Sequence, residues 1–257
     1  MLHIILDYIK FILRSTNQHG IHSPFVYNLV TKCFYDTKFH HEYKIIEEYR
    51  NILNRNKSFI VVKDFGAGSK VFKTETRRVS DISKKAGITN KRAQLLYRLV
   101  KYFQPNSILE LGTSLGISTC ALSLGNPKAK IMTIEGCPET SAITQEQFKF
   151  HKLNNINVIN NEFENELNIL KGKEFDLIFI DGNHQREATI NYFNTLLKSV
   201  NNHSLMIFDD IHWSKGMKEA WENIKQNPKV TLTIDTFYWG LVFFRKEQEK
   251  QHFKIRL

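Results

Sequence analysis

The sequence predicts an α/β fold in which helices flank a doubly wound, mostly parallel sheet of seven strands. From residue 89 onwards, short apolar runs alternate with segments of helical periodicity, and this alternation is typical of parallel sheets. A loop bracketed by glycines directly follows the first of these runs. A short turn over 236–239 separates the last two predicted strands. Because no helix fits in that turn, we expect the last strand to be antiparallel.

The boundaries of the elements follow from apolar periodicity and from turn residues. A helix is expected over 89–103, with Thr89 or Asn90 as N-cap and Pro105 beyond its end. The predicted strands are 107–112, 130–135, 156–160, 175–181, 204–209, 230–235 and 240–245, and the helices between them are 116–124, 138–152, 186–199 and 215–226. We therefore expect a domain over 89–257, preceded by a helical extension over 1–88 that caps the site.

The extension begins with an amphipathic helix over 1–15. Its apolar face carries Leu2, Ile5, Leu6, Ile9, Ile12 and Leu13, and its polar face carries Asp7, Lys10 and Arg14. Because that polar face is not rich in Lys and Arg, packing on the domain or on a second copy in a homodimer is favoured over a membrane surface.

Two further stretches of the extension are unusual. His19–Phe25 is either a turn set by Gly20 and Pro24 or a segment whose histidines, His19 and His22, contact substrate. Asp64–Ser69 is a second glycine-containing loop, but no strand ending in an acid follows some twenty residues later. We interpret it as a lid or substrate-side segment.

Composition excludes several classes of function. The net charge is +10, yet Lys and Arg are scattered, which favours a solvated basic surface over nucleic-acid binding. Cys33, Cys120 and Cys137 form no Cys-x-x-Cys pair, so a zinc site or disulfide framework is not expected and a cytoplasmic location fits. No apolar stretch is long enough to span a bilayer.

The chain is organised around Ser107–Gly116. Glu110 lies near the end of an apolar run, and Gly112 and Gly116 bracket a tight turn before the next helix. Glycine permits positive φ and lets a ligand approach the backbone, while the helix start offers free N–H groups. Thr113 stands where a dinucleotide loop has its second glycine, and no Gly-Lys-Ser/Thr ending is present. The pattern therefore fits neither a dinucleotide loop nor a phosphate loop.

Acidic residues follow several of the strands. Glu135 ends the strand 130–135, about twenty residues past the glycine loop, where an acid accepts hydrogen bonds from both ribose hydroxyls. Asp181 follows the fourth strand, and Asp209 and Asp210 follow the fifth. Three carboxylates at one edge repel one another unless a hard cation such as Mg²⁺ or Ca²⁺ lies between them. Without a metal, His184 or His212 could act as general base.

These motifs, in this order and spacing over about 89–245, resemble the class I S-adenosylmethionine-dependent methyltransferases. The acids resemble those of metal-dependent O-methyltransferases of the catechol type, although Asp181-Gly-Asn-His184 is more similar to a related bacterial branch. The resemblance implies S-adenosylmethionine as cofactor and Mg²⁺ or another divalent cation as a candidate. It implies cofactor contacts from Glu110, Gly112, Thr113, Ser114, Gly116, Glu135, Gly136, Glu162, Phe163 and Asp181. It further implies catalytic roles for Asp181, His184 and His212, and metal ligation by Asp181, Asp209 and Asp210.

Missing motifs narrow the acceptor. Family members that methylate the amino group of adenine or cytosine usually carry Asp/Asn-Pro-Pro-Tyr/Phe after the fourth strand. Those that methylate carbon 5 of cytosine in RNA need a nucleophilic Cys after the fourth or fifth strand. Neither is present, so a hydroxyl on a small molecule or glycan is the expected acceptor. Two alternatives stay open: a Rossmann-type nucleotide-dependent enzyme, which NAD(H) binding would support, and a non-catalytic cofactor-binding protein with the same fold.

Overall fold

The computed structural model describes residues 2–63, 66, 68, 72, 74–170 and 172–257. Two compact units result, one built from the chain up to Tyr35 together with Leu167–Leu257, and the other from Asp36–Glu166. Most of the predicted Asp64–Ser69 loop lies outside the described residues, so its role as a lid stays a prediction.

The elements are numbered in chain order. The helices are α1 (Leu2–Arg14), α2 (Pro24–Leu29), α3 (Glu42–Arg55), α4 (Val79–Lys85), α5 (Asn90–Phe103), α6 (Ile117–Gly125), α7 (Pro138–Phe150), α8 (Phe163–Ile169), α9 (Arg186–Leu196) and α10 (Lys215–Gln226). The strands are β1 (Phe59–Val61), β2 (Thr76–Arg78), β3 (Ser107–Leu111), β4 (Lys130–Glu135), β5 (Ile156–Asn160), β6 (Leu177–Ile180), β7 (Leu205–Phe208), β8 (Leu232–Asp235), β9 (Gly240–Phe243) and β10 (Gln251–Lys254). A π-helical turn, Val30–Phe34, continues α2.

The strands of the Asp36–Glu166 unit pair in two groups. β3 pairs with β4 and β4 with β5, all parallel, and β1 pairs with β2 antiparallel in a separate hairpin. In the register of β3 and β4, Glu110 stands opposite Thr133. Parallel strands bring their carboxyl ends to the same edge, so Glu135 and the glycine loop after Leu111 lie at one edge, as predicted.

In the other unit β6 pairs parallel with β7, and β9 lies antiparallel between β7 and β8. The predicted antiparallel pairing of the last two strands, 230–235 and 240–245, is therefore confirmed. All residues of β6 and β7 are buried, which is why their sequences are uninterrupted apolar runs instead of alternating ones.

The large sheet contains eight strands, not the predicted seven. The additional strand, β10, pairs parallel with β8. Its sequence, Gln-His-Phe-Lys, is mostly polar and follows a charged segment, so apolar periodicity did not identify it. The α/β class and the mostly parallel sheet are confirmed; the strand count was wrong by one.

The helix α8 was also missed. It occupies Phe163–Ile169 between two predicted strands, and its sequence, Phe-Glu-Asn-Glu-Leu-Asn-Ile, is only seven residues long. So short a segment gives too little helical periodicity to recognise. Within the predicted domain, β4, β5 and α10 have the predicted bounds, whereas the β1–β2 hairpin lies in the extension that was expected to be helical.

The N-terminal segment belongs to the same unit as the C-terminal strands. The Thr16 amide donates to the Lys254 carbonyl at 2.8 Å, and the Arg256 amide donates to the Thr16 carbonyl at 3.1 Å. This pairing adds the segment to the sheet beside β10 as an isolated bridge. Within the described residues, no helix is both long and apolar enough to cross a membrane.

His19–Phe25 forms a turn followed by a helix start. Ser23 caps α2 by accepting from the Val26 amide, and Pro24 occupies the first turn, a position where its missing N–H has no cost. A Cβ on Gly20 would clash with Thr16 Oγ1, so the close approach of these two segments requires glycine. His19 and His22 are exposed. The structure supports the turn alternative, and contact of the two histidines with substrate stays a prediction.

Candidate functional site

The glycine loop after β3 has a backbone that few sequences allow. Gly112, Ser114 and Gly116 have φ values of +101°, +47° and +76°, and such values favour glycine. A Cβ on Gly116 would lie 2.5 Å from Tyr49 Oη and 2.6 Å from Thr144 Cγ2. Gly116 is thus required by both its conformation and its packing.

Two helices hold the loop by its carbonyl groups. The Tyr49 hydroxyl on α3 donates to the Leu115 carbonyl at 2.9 Å, and the Thr144 hydroxyl on α7 donates to the Ser114 carbonyl at 2.7 Å. Tyr49 is fully buried, and burial raises the pKa of its hydroxyl well above the ordinary value. The hydroxyl therefore stays a donor, and the loop is fixed by the protein itself.

A chain of hydroxyl groups fastens the loop from inside. The hydroxyls of Thr113 and Thr133 lie 2.5 Å apart. Thr133 donates to Glu110 Oε2 at 2.6 Å, and Thr119 donates to the same oxygen at 2.5 Å. Thr133 therefore accepts from Thr113. The predicted cofactor residues Thr113 and Glu110 are both buried, and their side chains serve this internal chain.

Burial raises the pKa of Glu110 to about 7. The carboxyl is fully enclosed, and the nearby charge of Glu135 adds to the rise, while the hydroxyls of Ser118, Thr119 and Thr133 lower it. Glu110 is thus partly protonated near neutral pH.

Glu135 lies at the tip of β4, as predicted. Its Oε2 accepts from the Ser114 amide at 2.8 Å and its Oε1 accepts from the Cys137 amide at 2.9 Å. Burial raises the pKa of Glu135, and these two amides oppose the rise. A carboxylate oxygen can accept more than one hydrogen bond, so each oxygen keeps a lone pair for a ligand hydroxyl. Gly136 lies between these contacts in the chain and is half-buried.

The residues predicted to flank adenine, Glu162 and Phe163, follow two asparagines that bind the backbone of Glu135. Asn160 Nδ2 donates to the Glu135 carbonyl at 2.6 Å, and the Asn161 amide donates to the same carbonyl at 3.2 Å. Asn161 Oδ1 accepts from the amide of Glu162, whose side chain is exposed, while Phe163 is half-buried at the start of α8. Their roles at an adenine ring stay a prediction.

Sequence reasoning missed the residues that hold the loop. Thr133 and Asn160 carry a usable signal: each lies in a predicted strand, and parallel register places Thr133 opposite Glu110. Tyr49 and Thr144 lie 66 and 30 residues from the carbonyls that they bind. No local pattern reveals such contacts.

The other unit carries the predicted catalytic acids and histidines. Asp181 follows β6, and its Oδ1 lies 3.8 Å from His184 Nε2, with both side chains about a quarter exposed. Between them Asn183 has a φ of +48° and donates to the Tyr192 hydroxyl at 3.0 Å. The structure thus places Asp181 and His184 3.8 Å apart, and their catalytic roles stay a prediction.

Asp209 and Asp210 follow β7. The amide of Asp209, whose side chain is buried, donates to the Ile180 carbonyl at 2.9 Å, and Asp210 has a φ of +53°. No cluster of three or more His, Cys, Asp or Glu side chains that could hold a metal occurs among the residues described. Metal binding by Asp181, Asp209 and Asp210 stays a prediction.

His212 is paired with a residue that the sequence analysis did not single out. Its Nε2 lies 3.0 Å from Oδ2 of Asp235, the last residue of β8, and the Phe237 amide donates to Asp235 Oδ1 at 2.8 Å. The ring of His212 stacks on Phe237 with an interplanar angle of 6°. A carboxylate accepts only from a protonated nitrogen, so Nε2 carries the proton, and in the neutral ring Nδ1 keeps a lone pair.

The helix α1 contacts this pair. Phe11 and Tyr8 pack on Phe237 with ring centroids 5.5 and 4.9 Å away, and Phe11 also meets the His212 ring. Lys218 on α10 donates to Asp7 Oδ2 at 2.7 Å. The predicted packing of α1 on the domain is therefore seen within this unit.

Comparison with known proteins places these residues in context. Residues 109–211 match the family model described as a methyltransferase domain. The chain is 31% identical over 127 residues to the O-methyltransferase hkm8 of Aspergillus hancockii, which covers 47% of this chain and 50% of that protein. The chain thus spans about half the length of this curated relative.

Solved methyltransferase structures share the fold. The S-adenosylhomocysteine-bound methyltransferase PaMTH1 of Podospora anserina has a TM-score of 0.61 at 17% identity, covering 88% of this chain and 98% of that one. The O-methyltransferase of Bacillus cereus in complex with S-adenosylhomocysteine has a TM-score of 0.55 at 18% identity, covering 83% and 95%. At these identities the likeness establishes the fold alone.

Proposed function

We propose that this chain, whose residues 109–211 match the model of a methyltransferase domain, is an S-adenosylmethionine-dependent methyltransferase acting on a hydroxyl of a small molecule or glycan. The observation that carries the proposal is the position of Glu135, whose two oxygens are held by the glycine loop and by the Cys137 amide at the tip of β4. The resemblance to the O-methyltransferase hkm8 supports the same activity, and the solved methyltransferase structures support the fold.

The cofactor residues divide by role. Glu135 would accept from the ribose hydroxyls with the lone pairs that Ser114 and Cys137 leave unused. Gly112, Ser114, Gly116 and Gly136 would present backbone to the cofactor, and Glu162 and Phe163 would flank adenine. Thr113 and Glu110 would hold the loop in shape and would not contact the cofactor with their side chains, since these are buried in the hydroxyl chain. Asp181 would complete the set.

S-adenosylmethionine supplies a methyl group that its sulfonium already activates. A base must accept the hydroxyl proton as the acceptor oxygen bonds to the methyl carbon and the carbon–sulfur bond breaks, which leaves a methyl ether and S-adenosylhomocysteine. Two histidines are candidates for this base: His212, whose ring Asp235 fixes, and His184 beside Asp181. Alignment of the reactants supplies most of the remaining rate.

A divalent cation would be held by Asp181, Asp209 and Asp210, whose carboxylates suit Mg²⁺. No three or more His, Cys, Asp or Glu side chains among the described residues already form a metal-binding group, so this metal site stays a proposal. The buried cysteines Cys33, Cys120 and Cys137 are not joined in disulfides, which supports a reducing compartment such as the cytoplasm.

The proposal is tested by calorimetric titration of the purified chain with S-adenosylhomocysteine, NADH and UDP-glucose in parallel. We expect micromolar binding of the first and none of the others. Binding of NADH or the nucleotide sugar without S-adenosylhomocysteine would instead identify a Rossmann-type nucleotide-dependent enzyme.

Transfer from isotope-labelled cofactor to a panel of phenols, sugars and other alcohols then separates an enzyme from a binding protein. We expect label in at least one hydroxyl compound. Cofactor binding without transfer to any of them would favour the non-catalytic alternative.

A further inference from the structure

The helix α1 carries apolar side chains on two opposite faces. Phe11 is buried against Phe237 and His212 on the inner face. Among the described residues, the outer face bears large aliphatic side chains that are about half exposed or more: Ile5, Leu6, Ile9 and Leu13 are exposed by 52%, 50%, 49% and 81%. Their spacing along the helix places them in one stripe. A helix apolar on both faces normally has a partner on each.

The charges beside this outer stripe have a single sign. Asp7 is the one acid in the α1 sequence, and it is engaged by Lys218 in an ion pair on the inner side. Lys10 and Arg14 are both exposed. The sequence analysis placed Asp7 on the polar face with Lys10 and Arg14, but in the structure Asp7 is paired with Lys218, so the exposed charges of α1 are both basic.

Two tyrosines extend the surface. Tyr8 and Tyr238 are about half exposed, and both rings contact Phe237. Tyrosine has an apolar ring and a polar hydroxyl, and it is enriched where protein meets the boundary between lipid and water. The surface thus combines aliphatic, aromatic and cationic groups.

We propose that the outer face of α1 binds the surface of an anionic lipid membrane. An aliphatic stripe bordered by Lys and Arg is the pattern of helices that lie in the membrane interface. The net charge of the chain, +10, adds long-range attraction to acidic headgroups. A second copy, one of the two packing partners that the sequence favours, fits less well: two α1 helices paired through this stripe would bring the Lys10 and Arg14 side chains of both copies to one interface with no exposed acid to offset them.

The test is co-sedimentation of the full chain with vesicles of phosphatidylcholine alone or mixed with phosphatidylglycerol. We expect binding to the mixed vesicles that weakens as salt is added. Leu6→Gln with Ile9→Gln should lower the bound fraction roughly tenfold or more, because two aliphatic side chains no longer leave water. Lys10→Gln with Arg14→Gln should also lower it and flatten the salt dependence.

Phe150→Gln is the matched control. Phe150 is 65% exposed on α7 in the other unit, so its replacement should leave vesicle binding unchanged. All the substituted side chains are exposed, so unchanged melting temperatures are expected and show that the variants fold. No sedimentation of the wild type, or equal sedimentation of the Leu6→Gln/Ile9→Gln variant, would overturn the proposal.

Light scattering after gel filtration tests whether a second copy of the chain, instead of a membrane, covers the outer face of α1. The membrane proposal would be overturned if the wild type were a dimer that binds neither kind of vesicle and if Leu6→Gln/Ile9→Gln converted it to a monomer. This face would then be assigned to a second copy. A wild-type monomer that sediments with the mixed vesicles is the expected result.

Discussion

The hydroxyl of Thr113 lies 2.5 Å from that of Thr133, and this contact joins the glycine loop to the buried carboxyl of Glu110. A dinucleotide-binding loop has glycine at the position of Thr113 so that a pyrophosphate can pack against it. Here the side chain turns inward and anchors the loop. The loop conformation is therefore fixed by the hydrogen bond from Thr113 to Thr133 of β4, and by the hydroxyls of Tyr49 and Thr144, which donate to loop carbonyls.

Replacement of Thr133 by valine tests this anchor. Thr133→Val keeps the shape of the side chain but leaves the buried Thr113 hydroxyl without its acceptor. We expect affinity for S-adenosylhomocysteine to fall roughly tenfold, the usual consequence of a lost hydrogen bond. Isothermal titration calorimetry provides the measurement.

Thr119→Val is its matched control, because it removes a hydroxyl from the same oxygen of Glu110 without touching Thr113. We expect a smaller loss of affinity from it. Equal losses in the two variants would show that the Thr113 contact has no role of its own.

Gly116→Ala should strongly destabilise the fold. The new methyl group would meet Tyr49, Thr144 and Phe148 at 2.5–2.8 Å, and the φ of +76° adds strain. We expect a loss of roughly 2–4 kcal/mol of unfolding free energy, measured by urea denaturation.

Gly172→Ala separates the two causes. Gly172 also has a positive φ, +89°, but a Cβ there has nothing within 4 Å. We expect a loss of roughly 1–2 kcal/mol from the backbone alone. If Gly116→Ala cost no more than Gly172→Ala, the packing argument would be wrong.

The pH dependence of stability should carry a contribution from Glu110. Its pKa is about 7 in the folded chain against 4.5 for an ordinary Glu, so the folded state binds this proton more tightly. The contribution is fully present below about pH 4.5 and is lost as the pH rises through 7.

The Glu110→Gln variant lacks this titration and keeps an oxygen for the hydroxyls. Relative to that variant, wild-type stability should decline between about pH 4.5 and 7 by up to roughly 3 kcal/mol. Urea denaturation of both proteins over this range measures the difference. Parallel profiles would contradict the burial argument.

Asp235→Asn should release the tautomer of His212. In the wild type Nε2 carries the proton because the Asp235 carboxylate accepts from it, whereas an amide can either donate or accept. Long-range ¹⁵N–¹H correlation spectra at neutral pH should show the Nε2–H form in the wild type and a mixture in the variant. If the proton lay on Nδ1 in the wild type, Asp235 would not fix the tautomer of His212.

Much of the fold could be predicted from the sequence because the sheet interior imposes uninterrupted apolar runs. Glu135 and the glycine loop were also predictable, since strand ends and glycine spacing are local patterns. β10 and α8 were not, because the first is polar and the second is only seven residues long. For each, local pattern was too weak to compete with the pairing or packing that decides the structure.

The site shows the same division. Asp181 and His184 could be singled out from their motif, and the structure places them 3.8 Å apart, while their roles stay a prediction. Asp235 was not singled out, because its partner His212 lies 23 residues earlier and after a different strand. The inward turn of Thr113 was also missed, since only the register of β3 and β4 reveals the hydroxyl opposite Glu110.

Calorimetry with S-adenosylhomocysteine tests whether Glu135 binds the ribose hydroxyls of the cofactor. The affinity is measured for the wild type, Glu135→Gln, Glu135→Ala and the surface control Glu146→Ala. Glu146 is exposed on α7 and should not affect binding. We expect micromolar affinity in the wild type, a modest loss in Glu135→Gln, and a loss of roughly tenfold or more in Glu135→Ala, which loses both ribose contacts and the anchor of Ser114. Wild-type affinity in Glu135→Ala, or no binding to the wild type, would contradict the account.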